Sequence, residues 1–284
     1  MESLTAKMCM FCKLFHMKNS NIKVYNEKYL ERVMDQKEYN TIFNYLDNGI
    51  KFFDSNYTGN DRVLYIVNKF IGATILGRSA YLNRVINNEI KLGLKEYVVL
   101  GSGYDMSMYE FKNIKVFELD KKDTIIDKKR IVRNANIDNN FVSYVSCDLN
   151  SNWLPKLYKV GYDKNIKSLF SLMGVSYYLN KDIFINLIKL IGENISSGSV
   201  IVFDYPICDN KVINDLALGA SENIISTYDI KEFEIEFQSV DLLIYEDIGN
   251  DRIDELFFSK YNILNPNFKI NSPKNVRYIM LVKK

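Results

Sequence analysis

The stretch EYVVLGSGYDMSMYEFKNIKVFELD, residues 96–120, connects two short apolar runs through a Gly-Ser-Gly turn. Glycine lets the chain turn sharply after a strand and approach a ligand without a Cβ clash. Two acidic residues, Glu118 and Asp120, end the second run 17 and 19 residues after Gly101. A carboxylate at that place can accept hydrogen bonds from ribose hydroxyls. The stretch therefore predicts a strand–loop–strand unit for a nucleoside-bearing ligand, and a purely structural turn is the alternative.

The loop lacks the features of a pyrophosphate site. A dinucleotide-binding turn follows the pattern G-x-G-x-x-G and opens a long helix whose N-terminal amides meet the phosphates. Here Met106 stands at the third glycine position, and the residues after it predict at most a short helix. A ligand without phosphate fits better. S-adenosyl-L-methionine, an adenosine with a cationic amino-acid tail, is such a ligand.

Short apolar runs alternate with helical stretches from residue 94 onward, a pattern typical of a parallel sheet with helices on both faces. The predicted strands are 96–100, 114–118, 141–145, 166–172, 199–204 and 276–283, with a strand-like piece at 267–271. The predicted helices between and after them are 122–135, 181–195 and 229–246. The sequence thus predicts an α/β fold with a Rossmann-like, doubly wound, mostly parallel sheet of seven strands.

The first part of the chain has only helical spacing of its apolar residues. The predicted helices are 6–18, 24–36, 38–47 and 61–92, the last interrupted at Gly72 and Gly77. We therefore expect residues 1–93 to form an N-terminal helical cap on a ligand-binding core of residues 94–284.

Composition restricts the partners. The chain has 284 residues, a formal charge of +2, 47% apolar residues and 25% charged residues, as is ordinary for a globular protein. The near-neutral charge gives no reason to expect a nucleic acid, and no apolar run reaches the length of a membrane span. Four cysteines do not suggest a disulfide framework. We expect a cytoplasmic protein without nucleic-acid or membrane partners.

A string of possible metal ligands, Cys9, Cys12 and His16, has the spacing C-x2-C-x3-H. It supplies three ligands without a matching second half, whereas structural zinc sites usually have four. We interpret the three residues as one stripe of an amphipathic helix and expect no metal.

Several segments together resemble successive motifs of the leucine carboxyl methyltransferase family. This family includes protein phosphatase carboxyl methyltransferases and bacterial O-methyltransferases of secondary metabolism. The segments are VVLGSGYDMSMYEF, KVFELDKKDTIIDKKRIV, SLFSLMGVSYYLNKD and GSVIVFDY, and the resemblance runs from about residue 74 to 205. It implies the class I methyltransferase fold, S-adenosyl-L-methionine as methyl donor and S-adenosyl-L-homocysteine as product. The implied reaction is O-methylation of a carboxylate or hydroxyl on a small molecule or peptide.

The resemblance also implies which residues bind the cofactor. The segment GRSAYLNRVI places Arg78 where family members hold the cofactor carboxylate. A guanidinium can donate two parallel hydrogen bonds to a carboxylate. Asp120 would receive the ribose, with Glu118 as a second candidate, and Asp148 would meet the adenine amine. The full predicted set is Arg78, Gly101, Ser102, Gly103, Glu118, Asp120, Asp148, Leu149 and Met173.

Met173 departs from the family pattern, which has glutamate before the glycine at this place. The change removes a carboxylate near the amino-acid end of the cofactor. A protein that binds the cofactor without catalysis is therefore an alternative to a methyltransferase. A nicotinamide-dependent oxidoreductase is a third candidate, which the missing third glycine disfavours.

No general base stands out in the sequence. Methyl transfer to a carboxylate needs none, because that nucleophile is already ionised at neutral pH. The single histidine, His16, lies outside every motif. Tyr177 and Tyr178 are candidates for lining the pocket and positioning the acceptor, and the segment 206–228 is expected to help cover it.

Overall fold

The computed structural model describes residues 4–207 and 225–284, and within them seven strands form one sheet. The strands are β1 (Glu96–Leu100), β2 (Lys115–Asp120), β3 (Val142–Ser146), β4 (Ser168–Leu172), β5 (Val200–Pro206), β6 (Leu242–Ile248) and β7 (Val276–Lys283). Their order is β3-β2-β1-β4-β5-β7-β6, and β7 runs antiparallel to both of its neighbours. The predicted seven-stranded, mostly parallel sheet is confirmed.

Helices precede the sheet in the chain and also connect its strands. Those before the sheet are α1 (Leu4–Asn19), α2 (Leu30–Val33), α3 (Gln36–Asn48), α4 (Ile50–Phe53), α5 (Arg62–Ile66) and α6 (Gly72–Lys91). Those that follow are α7 (Lys122–Asn134), α8 (Leu154–Lys159), α9 (Lys181–Gly192), α10 (Glu234–Gln238), α11 (Asn250–Ile253) and α12 (Ser259–Leu264). None of the helices in the described ranges is long and apolar enough to cross a membrane.

Both faces of the central strands β1, β4 and β5 are buried, which explains their nearly continuous apolar runs. On β1, Tyr97 and Val99 pack with apolar side chains of α6. Val98 and Leu100 point to the opposite face and pack with side chains of α9. A third apolar cluster joins α1, α3 and α5. Helix α6 therefore forms one core with the sheet, whereas α1 to α5 form a core mainly among themselves.

The long predicted helix 61–92 consists of α5, a π-helical turn and α6. The interruption lies at Gly72, where a Cβ would lie 2.5 Å from the Val67 carbonyl oxygen. Gly77, the other predicted interruption, is helical and lies inside α6. A Cβ at Gly77 would come within 3.1 Å of the Tyr278 hydroxyl, so close packing against β7 accounts for this glycine.

Two predicted elements after residue 228 were wrong, whereas the final predicted strand, 276–283, coincides with β7. The expected helix 229–246 gives way at Asp241, which has a φ of +56°, to the edge strand β6. The expected strand at 267–271 has no regular structure, and helices α11 and α12 stand before it. Of the predicted helix 24–36, only the four residues of α2 and Gln36, the first residue of α3, are α-helical. The segment 206–228 falls largely outside the described residues.

Candidate functional site

The Gly-Ser-Gly loop after β1 is bonded to the end of β2. Gly101 and Gly103 have φ angles of +70° and +46°, in the left-handed region that favours glycine. The amides of Gly101 and Ser102 donate to the Leu119 carbonyl oxygen at 2.9 and 3.3 Å. The Gly103 amide donates to Asp120 Oδ2 at 2.7 Å. All three loop amides are thus used inside the protein.

This geometry does not suit a pyrophosphate. A phosphate cradle presents free backbone N–H groups at the start of a helix. Here the loop amides are occupied, and a 3-10 turn over Ser107–Glu110 follows in place of a long helix. The Met106 amide donates to Glu27 Oε1 at 2.7 Å. The loop therefore fits a ligand that approaches through its nucleoside rather than through phosphates.

The two acidic residues of β2 have different environments. Asp120 keeps some exposed surface, and its Oδ1 accepts from the Lys121 amide at 2.7 Å, which leaves lone pairs for a ligand. Glu118 is fully buried and forms an ion pair with Lys128, which is also fully buried. Lys128 Nζ in turn donates to the Ser102 carbonyl oxygen at 3.3 Å. Glu118 thus lies beneath the loop and supports it through Lys128.

A buried charged network joins α1 to the loop, and sequence analysis did not identify it. Lys13 is 4% exposed and forms ion pairs with Glu27 at 2.6 Å and Asp105 at 3.1 Å. Glu27 also accepts from the Tyr25 hydroxyl at 3.0 Å. Burial alone would lower the pKa of Lys13, but the Asp105 and Glu27 carboxylates outweigh burial and raise that pKa. The available signal was Lys13 itself, a charge inside the apolar stretch MCMFCKLFHM.

Helix α1 lies directly against the loop. The Ala6 Cβ atom is 3.6 Å from the position that a Cβ on Gly103 would occupy. Cys9, half-buried one turn later, has a thiol whose pKa burial raises, against the opposing charges of Arg78 and Lys13. One face of α1 therefore lies over the Gly-Ser-Gly loop and near Arg78 of α6. The region bounded by this face, the loop and α6 is called the crevice below.

Cys12 and His16 are buried in the N-terminal helices. His16 Nε2 accepts from the Val24 amide at 2.9 Å, and Nδ1 lies 3.1 Å from Ser20 Oγ. Burial lowers the pKa of His16 to about 4, so the ring is neutral at pH 7. In the part of the chain that the structure describes, no group of three Cys, His, Asp or Glu side chains could hold a metal ion.

Arg78 lies on α6 at the edge of the crevice and is 22% exposed. Its Nε is 3.7 Å from Oδ2 of Asp204, a fully buried residue of β5. Burial alone would lower the pKa of Arg78, but the Asp204 carboxylate raises it. The same Nε is buried and has no hydrogen-bond partner among residues 4–207 and 225–284. The Asp204 charge thus holds the guanidinium, and its Nε–H donor is unused within the described residues.

The loop after β4 passes over this guanidinium. Gly174 has a φ of +72°, and a Cβ there would lie 2.1 Å from Arg78 Nη1. Met173 is partly buried against the core that α6 shares with the sheet. Tyr177 is buried and donates to Asp204 Oδ2 at 3.0 Å, whereas Tyr178 is 37% exposed. Of the two predicted tyrosines, Tyr177 belongs to the Arg78–Asp204 cluster.

The remaining predicted positions follow β3. Asp148 is exposed, and its Oδ1 accepts from the Asn150 amide at 2.9 Å. Leu149 is partly buried against the core on the α9 face of the sheet. The Cys147 amide donates to the Asp120 carbonyl oxygen at 2.9 Å, which ties this turn to the end of β2. The predicted positions after β1 to β4 therefore meet at the carboxyl edge of the sheet, where ligands bind in open α/β sheets.

Comparisons with known proteins agree with this architecture. The whole chain aligns at 29% identity with 98% of YktD from Bacillus subtilis (strain 168), named as a candidate S-adenosyl-L-methionine-dependent methyltransferase. A similarly named protein of Mycobacterium leprae (strain TN) is 31% identical over 38% of this chain and 37% of its own length.

Structural comparison shows the same fold in magnesium protoporphyrin IX methyltransferase from Synechocystis PCC 6803, a structure with bound S-adenosyl-L-homocysteine. The TM-score is 0.52 at 9% identity, over 86% of this chain and 100% of that one. The sequence profile described as leucine carboxyl methyltransferase matches residues 6–192, more than half of the chain. The chain therefore belongs to the leucine carboxyl methyltransferase family.

Proposed function

We propose that this protein is an S-adenosyl-L-methionine-dependent methyltransferase that methylates an oxygen atom of a small molecule or peptide. Membership of the leucine carboxyl methyltransferase family supports the reaction class. The name of the Bacillus relative, which aligns along nearly its whole length, supports the cofactor. The proposal rests chiefly on the Arg78 guanidinium at the carboxyl edge of the sheet, whose buried Nε–H donor has no hydrogen-bond partner among the described residues.

The residues of the crevice fit this cofactor. Two buried polar atoms at the site, Arg78 Nε and Ser102 Oγ, have no hydrogen-bond partner in the described chain. Buried polar groups are normally paired, so such atoms suggest that a ligand completes them. Arg78 would hold the carboxylate of the cofactor and Asp120 its ribose. Asp148 and Leu149 would hold the adenine.

The cofactor, when bound, supplies a methyl group activated by a sulfonium. The protein's own contribution is to align the reactants and to exclude water. Arg78 fixes the amino-acid end, and the face of α1 that carries Ala6 and Cys9 covers the crevice. We propose on this basis that residues 1–93 act as a cap over a core of residues 94–284, although α6 packs on the sheet.

The described side chains near the Arg78 end favour an acceptor that is already ionised. Asp204 is fully buried, and its Oδ1 and Oδ2 already accept from the Gly174 amide and the Tyr177 hydroxyl, so its carboxylate does not face an acceptor. Burial and the Asp204 carboxylate raise the pKa of Tyr177 well above its usual range, so the phenol stays protonated. His16 has both ring nitrogens engaged. A carboxylate acceptor, which gives a methyl ester, needs no base and is therefore preferred to a hydroxyl.

A binding protein without catalysis is the second candidate function. Met173 provides no charge beside Gly174, at the loop that covers Arg78. Binding alone does not separate the two candidates. Transfer of an isotope-labelled methyl group to a panel of small carboxylic acids does, because only the methyltransferase produces labelled ester.

Cofactor binding is tested by calorimetric titration with S-adenosyl-L-homocysteine and with NAD. We expect the first ligand to bind and the second not to bind. Arg78→Ala should weaken binding by about 1.5–3 kcal/mol, the scale of a lost charged hydrogen bond. Arg78→Lys should restore only part of it, because an ammonium cannot fork.

Arg84→Ala is the matched control, since Arg84 lies on the same helix and pairs with Glu246 at the edge strand β6. Wild-type affinity in Arg78→Ala would refute the proposed anchor. NAD binding in place of S-adenosyl-L-homocysteine would refute the proposed function.

A further inference from the structure

Asp204 connects three parts of the site while having no exposed surface of its own. Its Oδ1 accepts from the Gly174 amide at 2.6 Å, and its Oδ2 accepts from the Tyr177 hydroxyl at 3.0 Å. Its backbone carbonyl oxygen accepts from Ser176 Oγ at 2.7 Å. A single residue at the end of β5 therefore fixes the loop after β4 by three hydrogen bonds.

The same carboxylate is the ion-pair partner of Arg78. The separation of 3.7 Å between Arg78 Nε and Asp204 Oδ2 is longer than a hydrogen bond, so the attraction orients the guanidinium without using its donors. Gly174 limits the guanidinium from the other side, where there is no room for even a Cβ. Arg78 is thus confined by the Asp204 carboxylate at Nε and by the Gly174 backbone at Nη1.

We propose that Asp204 is the positioning residue that sets the affinity of this site for the amino-acid end of its ligand. The inference rests on the proposed function, in which Arg78 holds that end. An arginine side chain loses considerable rotamer freedom on binding, and a preorganised guanidinium loses less. Met173 brings no charge to the same loop, so Asp204 provides the negative charge that orders Arg78. Asp120 and Asp148, the residues proposed to hold the nucleoside end, form no hydrogen bond with Asp204 among the described residues, so binding of that end should be insensitive to Asp204.

The test compares two ligands that share a nucleoside and a thioether. S-adenosyl-L-homocysteine carries the amino-acid tail, and 5′-methylthioadenosine lacks it. For Asp204→Asn we expect calorimetry to show about tenfold weaker binding of S-adenosyl-L-homocysteine, the scale of one charge-assisted contact. Binding of 5′-methylthioadenosine should stay within about twofold of wild type, because that ligand does not reach Arg78.

A closely matched control is available on a neighbouring part of the sheet. Asp247 of β6 also pairs with an arginine, Arg277, at 2.9 Å, and accepts from a tyrosine hydroxyl, that of Tyr205, at 3.1 Å. Asp247→Asn removes the same kind of charge from the same kind of trio. We expect it to leave both affinities unchanged.

If Asp204→Asn weakened the binding of both ligands equally, the inference would be overturned, because that result would indicate general damage to the fold. Unchanged affinity for S-adenosyl-L-homocysteine would also overturn it. If Asp204→Asn does not fold, Tyr177→Phe replaces it, because this change removes only the hydroxyl that donates to Asp204 Oδ2. The same result is then required, namely weaker binding of S-adenosyl-L-homocysteine with nearly unchanged binding of 5′-methylthioadenosine. If the wild-type protein binds neither ligand, the proposed function fails and the inference fails with it. If the wild type binds both and the variants show no selectivity, the inference alone fails.

Discussion

Replacing Lys13 with methionine should destabilise the protein far more than an ordinary lysine substitution. Methionine keeps most of the apolar stem but removes an ammonium that is 4% exposed and lies 2.6 Å from Glu27 Oε2. Glu27 has no exposed surface and would retain, among the described residues, the Tyr25 hydroxyl and the Met106 amide as donors. Asp105, which is 30% exposed, would keep its access to water.

The expected loss follows from the burial of Glu27. Removing one partner of a buried ion pair costs about 3–5 kcal/mol, because an uncompensated charge remains. Two donors remain on Glu27, so we expect the lower end, about 3 kcal/mol of unfolding free energy at pH 7. Burial already raises the pKa of Glu27 despite Lys13, and loss of Lys13 raises it further. A raised folded pKa favours the native state below the unfolded pKa and loses that contribution as pH rises. The loss should therefore be smaller near pH 4 than at pH 7.

The measurement is urea unfolding followed by the fluorescence of Trp153, the single and fully buried tryptophan. Lys7→Met is the matched control, since Lys7 lies on the same helix as Lys13 and pairs with Glu38 of α3, with both side chains partly exposed. It should cost less than about 1 kcal/mol. The double variant Lys13→Met with Glu27→Gln should recover much of the loss. The reasoning would be refuted if Lys13→Met lost no more unfolding free energy than Lys7→Met. It would also be refuted if the double variant recovered none of the lost unfolding free energy.

Three further predictions concern single positions. Gly174→Ala places a Cβ 2.1 Å from Arg78 Nη1 at a φ of +72°. It should therefore lower the unfolding free energy by about 1–3 kcal/mol and displace the guanidinium. Unchanged affinity for S-adenosyl-L-homocysteine in this variant would contradict the close packing of Gly174 on Arg78. His16, whose pKa burial lowers to about 4, favours the native state in its neutral form. Its contribution to the unfolding free energy should fall by about 3 kcal/mol between pH 7 and pH 4. Over this range the difference in unfolding free energy between wild type and His16→Gln should shift by about this amount in favour of the variant, and an unchanged difference would contradict the buried, neutral ring. Asp120→Asn should weaken ligand binding with little effect on stability. Glu118→Gln should instead destabilise the fold, because it leaves Lys128 buried without its charge partner. The opposite pattern in ligand titration and in unfolding would exchange the roles of the two acids.

The sequence by itself determined the sheet and the location of the crevice. Strands buried on both faces must be apolar throughout, so β1 and β7 could be located to the residue from their composition. A left-handed turn at the end of β1 requires glycine, and therefore Gly101 and Gly103 marked the loop. These features depend only on neighbours along the chain. The prediction failed at β6, which is an edge strand. Its apolar residues have no clear period, and its start depends on the backbone conformation of Asp241, which neighbours along the chain do not determine.

Only the tertiary structure decided which charges meet. Arg78 could be named from a sequence motif, but its partner Asp204 lies on a strand far along the chain. The ion pairs of Lys13 with Glu27 and Asp105 likewise join three separate segments. Spacing along β2 could not establish that Glu118 lies buried on Lys128 while Asp120 keeps exposed surface, because that depends on where α7 packs. Apolar periodicity records which face of an element is buried, but it does not record which buried charge compensates another, since that pairing is set by the packing of distant elements.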